Sequence, residues 1–277
     1  MKIILSRKGF DSANGGIVSP IFENGDMISF PIPDENDKDT YSQLQYNSKQ
    51  YTDLLKDLGY RKEILTCHVD PDLDERCRTT PIDNWEALFG QIGASASYLK
   101  NCGVKEGDIF LFFGNFHSVI YKDEKYQYVK NSGDFYRDND LQVIWGYMQI
   151  GEIIREADRQ KELYWHPHSL DFRVYNNANR PESKNNTIFR AAEHLSFDTN
   201  LPGAGLLTYD VKRVLTQKGC PKATWKANPS YDENHIYGNR HNSSKYKNGT
   251  VYYSGIWQEL CLIESEESIC WAESVIL

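Results

Sequence analysis

Residues Ile109-Phe110-Leu111-Phe112-Phe113 form an unbroken apolar run, too short for a helix of its own and rich in phenylalanine. Such a run reads as a buried strand, entered here from the turn Lys105-Glu106-Gly107-Asp108. A second long β-rich stretch, Gln142 to Ile154, is interrupted by Gly146 and Gly151. The missing side chains there permit a bend, a bulge or close backbone approach. Between the two, Val119 to Tyr121 and Lys125 to Asn131 predict a hairpin around Asp123, with Tyr126 and Tyr128 on one face. A chain with these segments must be organised around a sheet.

The remaining pattern adds strands faster than helices. Lys2 to Ser6 is a short buried strand. Ile17 to Phe22 and Met27 to Ile32 flank the turn signal Asn24-Gly25, after which Pro31 and Pro33 end the pairing. Ile64 to Val69, Thr187 to Ala191 and Leu206 to Leu215 read as further strands. Helical spacing predicts Tyr41 to Leu58, stopped by Gly59, and a second helix from a capping box at Asp83 and Glu86 to Asn101, with Gly103 as its cap. Asn228 to Thr250 is a polar surface loop, and Val251 to Tyr253 and Ser268 to Leu277 are expected to close the fold as edge elements. The class is α+β: one domain over residues 1–277, a β-rich, barrel-like core, two helices in the first hundred residues and long loops in the C-terminal half.

With 40% hydrophobic residues in 277, a real core is affordable and disorder is excluded. No window approaches the length of a membrane-spanning helix. Thirty-one basic against 39 acidic residues give a formal charge of −8, so attraction to a nucleic-acid backbone would need a local basic patch. Six cysteines at irregular spacing, with no C-x-x-C pair, read as reduced buried thiols. The opening Met1 to Asp11 is too poor in apolar residues for a secretory signal, and a cytoplasmic location is expected.

Three constellations could carry chemistry. Ser6-Arg7-Lys8-Gly9-Phe10-Asp11-Ser12-Ala13-Asn14-Gly15-Gly16 sets two cations, a carboxylate and three glycines directly after a strand. Glycine amides and the Arg7 fork suit an anion, although successive strand residues point apart, so Arg7 and Lys8 should not both reach one ligand. His68, Asp70 and Asp72, with Asp74, alternate on an extended segment, and His166-Pro167-His168 with Asp171 offers two imidazoles. Convergence of the last two clusters would supply enough ligands for a divalent metal or an acid–base pair. Each constellation also has a plain structural reading, as a turn, an ion pair or a backbone-bonded histidine. Two weaker candidates are the basic stretch Lys212, Arg213, Lys218, Lys222 and Lys226 with Trp225, and a planar-ligand wall of Tyr126, Tyr128, Trp145 and Tyr147. Walker, dinucleotide, G-x-S-x-G and H-E-x-x-H motifs are absent.

The opening Met1 to Ser12 with Gly15-Gly16 and Ser19-Pro20-Ile21 resembles the nucleotide modification associated domain family, third type. So do His68-Val69-Asp70-Pro71-Asp72-Leu73, Phe89 to Ala94, Gly107 to Gly114, Val143 to Ile153 and His166-Pro167-His168. Such families are named for occurring beside enzymes that modify bases in bacterial and phage DNA. The resemblance implies a nucleotide or nucleic acid as partner and association with base-modification enzymes. Gly107 to Phe113, the hairpin and Gly151 to Ile153 are also similar to PUA-like barrels, which would place such a core around residues 105–175.

Two functional readings follow. In an enzyme acting on a base or nucleotide, Arg7, Lys8, Ser12, Gly15 and Gly16 hold phosphate, and Asp11, His68 and Asp70 are the catalytic candidates. His166 and His168 are then the metal candidates. In a non-catalytic reader of modified nucleic acid, Tyr126, Tyr128, Trp145 and Tyr147 stack on a base. A structural protein without an active site is the third reading, and it predicts no cavity beside these residues.

Overall fold

The computed structural model describes residues 1–11, 13–63, 65–169, 185–232, 234–238 and 249–277. Nine strands make one large mixed sheet: β1 (Ile3–Arg7), β2 (Ser19–Ile21), β3 (Leu88–Gln91), β4 (Ile109–Lys122), β5 (Lys125–Tyr128), β6 (Leu141–Ile154), β7 (Thr187–Ala191), β8 (Ala204–Leu206) and β9 (Glu259–Cys261). The order along the sheet is β9-β1-β4-β6-β7-β3, with β8 added to β6 and both β2 and β5 added to β4. β1 and β2 run parallel to β4, and the other pairings are antiparallel. The architecture is α+β and β-rich. The sheet curls into a half-barrel.

The apolar run at Ile109–Phe113 is the centre of the core, and each of its residues is fully buried. Phe110 and Phe112 meet Phe89 of β3 edge-on across the curl, which ties the middle of the sheet to its far edge. β6 shifts register twice, between Ile144 and Gly146 on β4 and between Ile150 and Glu152 on β7. These are the bulges that curl the sheet. At Gly151 a Cβ would stand 2.7 Å from Ala192 Cα, so only glycine allows that approach. The hairpin between β4 and β5 turns at Asp123 and Glu124, both at positive φ.

Five α-helices are described: α1 (Tyr51–Asp57), α2 (Gly93–Asn101), α3 (Phe135–Asp138), α4 (Ala157–Glu162) and α5 (Glu266–Ile276). None is long and apolar enough to cross a membrane. The first expected helix is cut to α1, because Asn47 and Ser48 at φ 48° and 67° make a tight turn joining Gln45–Tyr46 to Lys49–Gln50. The second is capped at Ile92 and not at Asp83, nine residues late. Leu88 exchanges backbone hydrogen bonds with Asp72, and β3 pairs with β7, which removes 88–91 from the helix. Its cap at Gly103 (φ 66°) stands where expected. Ser268 to Leu277 is not an edge element but part of α5, capped by Ser265, with Ala272, Val275 and Ile276 buried. Leu206 to Leu215 is a strand only at its start. Pro33 does not end pairing, since Ile32–Pro33 pairs with Cys67–His68. No disulfide joins the six cysteines. Part of the Asn228–Thr250 loop lies outside the described residues.

A candidate active site at the seam of the half-barrel

Side chains alternate along β1, so Ser6 and Lys8 leave on one side and Arg7 on the other. Ser6 Oγ donates to Glu259 Oε1 at 3.1 Å, and Lys8 Nζ lies 3.6 Å from the same oxygen. Glu259 comes from β9, one edge of the sheet. Gln91, from the opposite edge β3, donates its Nε2–H to Glu259 Oε1 at 2.5 Å. The curl thus brings both sheet edges together through buried side chains, and a polar site fills the seam.

Lys8 also lies 3.7 Å from Asp70 Oδ2, and its ammonium sits 4.2 Å from the centre of the Phe89 ring. Asp70 Oδ1 accepts from the Gly90 amide at 2.6 Å and faces His166 Nε2 at 3.4 Å. His168 Nε2 is 3.8 Å from Asp70 Oδ2 and 3.3 Å from His68 Nε2. The outer nitrogens are anchored: His68 Nδ1 to Asp37 Oδ2 at 2.5 Å, His168 Nδ1 to Asn186 Oδ1 at 3.0 Å. Gly90 makes this packing feasible, because a Cβ there would lie 2.1 Å from His168 Cγ. The three imidazoles and both carboxylates are buried. Burial by itself would raise the Asp70 carboxyl, but Lys8, His166 and His168 outweigh it and hold the group well below the usual carboxylate range. Glu259 goes the other way. Burial pushes its carboxyl up against the pull of Lys8, Ser6 and Gln91.

Asp70 also forms part of the wall of a cavity of about 390 Å³. Trp145, Tyr46, Tyr51 and Leu73 supply apolar surface there. Asp26, Asp70, Asp72 and Asp74 outnumber the single cation, Arg76. The Trp145 indole N–H is buried and has no acceptor among the described residues.

The residues singled out from sequence divide cleanly. Lys8, His68, Asp70, His166 and His168 meet in the seam. Arg7 does not: it pairs with Asp11 at 3.5 Å and lies over the Tyr253 ring. Asp11 Oδ1 accepts from the amides of Ala13 and Asn14, and its carbonyl accepts from Gly16 N–H. Of the glycine amides expected to face a phosphate, that of Gly16 is thereby engaged inside the loop. Gly15, at φ 93°, closes this loop over the Phe10 ring. Ser12 and Asp171 lie outside the described residues. Tyr126 meets Phe22 and Tyr121 edge-on, Tyr128 donates to Val18 O, and Tyr147 donates to Pro202 O. Of these four aromatics Trp145 alone lines the cavity. In the basic stretch Trp225 and Arg213 are core residues. Glu259, Gln91, Asp37 and Asn186 escaped the sequence reading. A glutamate inside the apolar run up to Leu260-Cys261-Leu262 was the available signal for the first.

The profile of the nucleotide modification associated domain 3 family matches residues 2–262, and the chain belongs to that family. The family is one associated with nucleotide modification. No curated protein and no solved structure is significantly similar to the chain.

Proposed function

We propose that the chain is an enzyme of a nucleotide- or DNA-modification system, with a nucleobase seated in the 390 Å³ cavity and chemistry carried out at Asp70. The observation that carries this reading is the double position of Asp70. The residue belongs to the cavity wall, and its carboxylate belongs to the buried Lys8, His166 and His168 cluster directly behind that wall. Buried ionisable groups converging beside a cavity are the usual mark of a catalytic site. A volume of this size falls in the roughly 300–1,000 Å³ range of small-molecule sites.

The chemistry of the wall favours a base over a phosphate. Asp70, Asp72 and Asp74 are each paired with a cation, Lys8, Arg78 and Arg76, which leaves no unpaired cation among the described residues of the wall for a phosphate, while the remaining carboxylate lone pairs can accept from ring N–H and exocyclic amino groups. Trp145 offers aromatic surface against which a base can pack. Lys8 neutralises Asp70 from behind and Glu259 anchors Lys8, so these two position the reacting carboxylate. The sugar and phosphate of a nucleotide, or the flanking strand of an extruded base, then stay outside.

The test is nucleoside mass spectrometry after incubation of the protein with nucleoside triphosphates and with duplex and single-stranded DNA, standard and modified. The reading expects a change in one base that Asp70→Asn abolishes. Ligand binding with no altered base from any substrate would favour a reader over an enzyme.

A further inference from the structure

We infer that His68, His168 and Asp70 bind a divalent first-row transition-metal ion. The hydrogen-bond partners fix the tautomer of each ring. Asp37 Oδ2 can only accept from His68 Nδ1, which places the hydrogen there. Asn186 is fixed by its own amide, which donates from Nδ2 to Gln160 Oε1 at 2.9 Å and to His168 O at 2.7 Å. Its Oδ1 therefore accepts from His168 Nδ1–H. Both neutral rings then present Nε2 as a lone pair, and the two nitrogens stand 3.3 Å apart. A metal ion between them would take both lone pairs, and a single shared proton is the competing occupant. Two ligands on a tetrahedral ion with bonds of about 2.0–2.1 Å are separated by about 3.3–3.4 Å, which matches.

The rest of the set agrees. The three ligand atoms lie within 4.8 Å of one another, the third being a carboxylate oxygen of Asp70, whose Oδ2 is 3.8 Å from His168 Nε2. His166 has a different part. Its Nδ1 accepts from the His168 amide at 3.2 Å, so Nε2 carries the hydrogen and faces Asp70 Oδ1. With the Gly90 amide it holds Asp70 through Oδ1, and Oδ2, which faces Lys8 at 3.7 Å and His168 Nε2 at 3.8 Å, is the oxygen that would reach the ion. Asp37 and Asn186 are the outer partners that metal-bound histidines ordinarily have. Asp37 and Asp70 exceed Lys8 by one negative charge before Glu259 is counted, which a divalent ion offsets. Two imidazoles and one carboxylate suit a transition metal over magnesium or calcium, and three protein ligands leave a coordination position open. Asp70 is the one ligand residue that also lines the cavity, so the inference rests on the proposed reaction for its use, although not for its detection.

The experiment is metal analysis of the purified full-length protein, followed by removal with a chelator and titration with Co²⁺, Zn²⁺ and Mn²⁺, read by absorption of bound Co²⁺ and by thermal unfolding. One ion per chain is expected, with a Co²⁺ spectrum and a raised melting temperature. His68→Gln and His168→Gln should each lower affinity at least tenfold, while His117→Gln, remote from the seam, should leave it unchanged. Absence of stoichiometric binding by the wild-type protein overturns the inference and points to a proton shared by the two rings. So does tight binding that persists in the double variant. The wild-type titration decides even where a variant fails to fold. Altered bases together with no stoichiometric ion in the titration would refute the metal and keep the proposed enzyme; bound metal with no altered base would do the reverse.

Discussion

Gln91 and Glu259 stand on opposite edges of one sheet and are hydrogen-bonded at 2.5 Å. Their contact closes the seam by side chains, where the backbone leaves the half-barrel open. Glu259 also anchors Lys8. Glu259→Leu should therefore strand a buried ammonium beside Asp70 alone. The expected loss is about 3 kcal/mol of stability, measured by urea unfolding, with Glu259→Gln losing clearly less.

Gly90→Ala introduces a methyl where the His168 ring already sits. Backbone strain is not the issue, since Gly90 has an ordinary negative φ or extended conformation and is absent from the positive-φ glycines. Overpacking of this kind should lower stability by about 1–3 kcal/mol. Because the displaced ring is His168, activity should fall further than stability explains, which a comparison of melting temperature and turnover on the same sample will reveal.

Arg213 was expected on a basic surface and is instead buried, donating to Val275 O and Ile276 O at the end of α5 and to Thr208 O. It satisfies carbonyls that the helix itself cannot. Arg213→Met should destabilise the chain by about 3 kcal/mol in chemical denaturation and leave ligand affinity unaltered.

What could be read beforehand depended on how local the cause was. The curl was legible, because Gly146 and Gly151 interrupt an otherwise continuous strand at the two places where register shifts. The capping box at Asp83 misled, because the pairing of 88–91 with Asp72 and β7 outweighed a local helix signal. The capped start of α5 at Ser265 is a local helix signal, and the segment after it forms a helix and not an edge strand. In the site, alternation correctly separated Arg7 from Lys8. The partnership of Gln91 with Glu259 joins residues 168 apart, and no local pattern encodes it.

Asp140 accepts from His117 Nδ1–H at 2.9 Å and pairs with Lys222 at 3.3 Å. The His117 hydrogen bond, with help from Lys222, holds its carboxyl below the usual value. A carboxylate depressed by folding contributes stability above its unfolded value, near pH 4, and that contribution disappears as pH falls through the folded value. The wild-type protein should lose stability across this interval more steeply than Asp140→Asn. The difference should stay under about 1 kcal/mol, because the carboxylate is partly exposed. Urea midpoints at pH 6 and about pH 3 compare the two.

The central claim is that ligand is taken at the seam cavity and not at the N-terminal glycine loop. Once a nucleoside or nucleotide that raises the melting temperature is found, calorimetric affinities of Asp70→Asn, Trp145→Phe and Asp11→Asn test it most directly. The account predicts at least a tenfold weakening for the first two, with Asp11→Asn binding as the wild type does. Loss of binding in Asp11→Asn, with the two cavity variants unaffected, would contradict it.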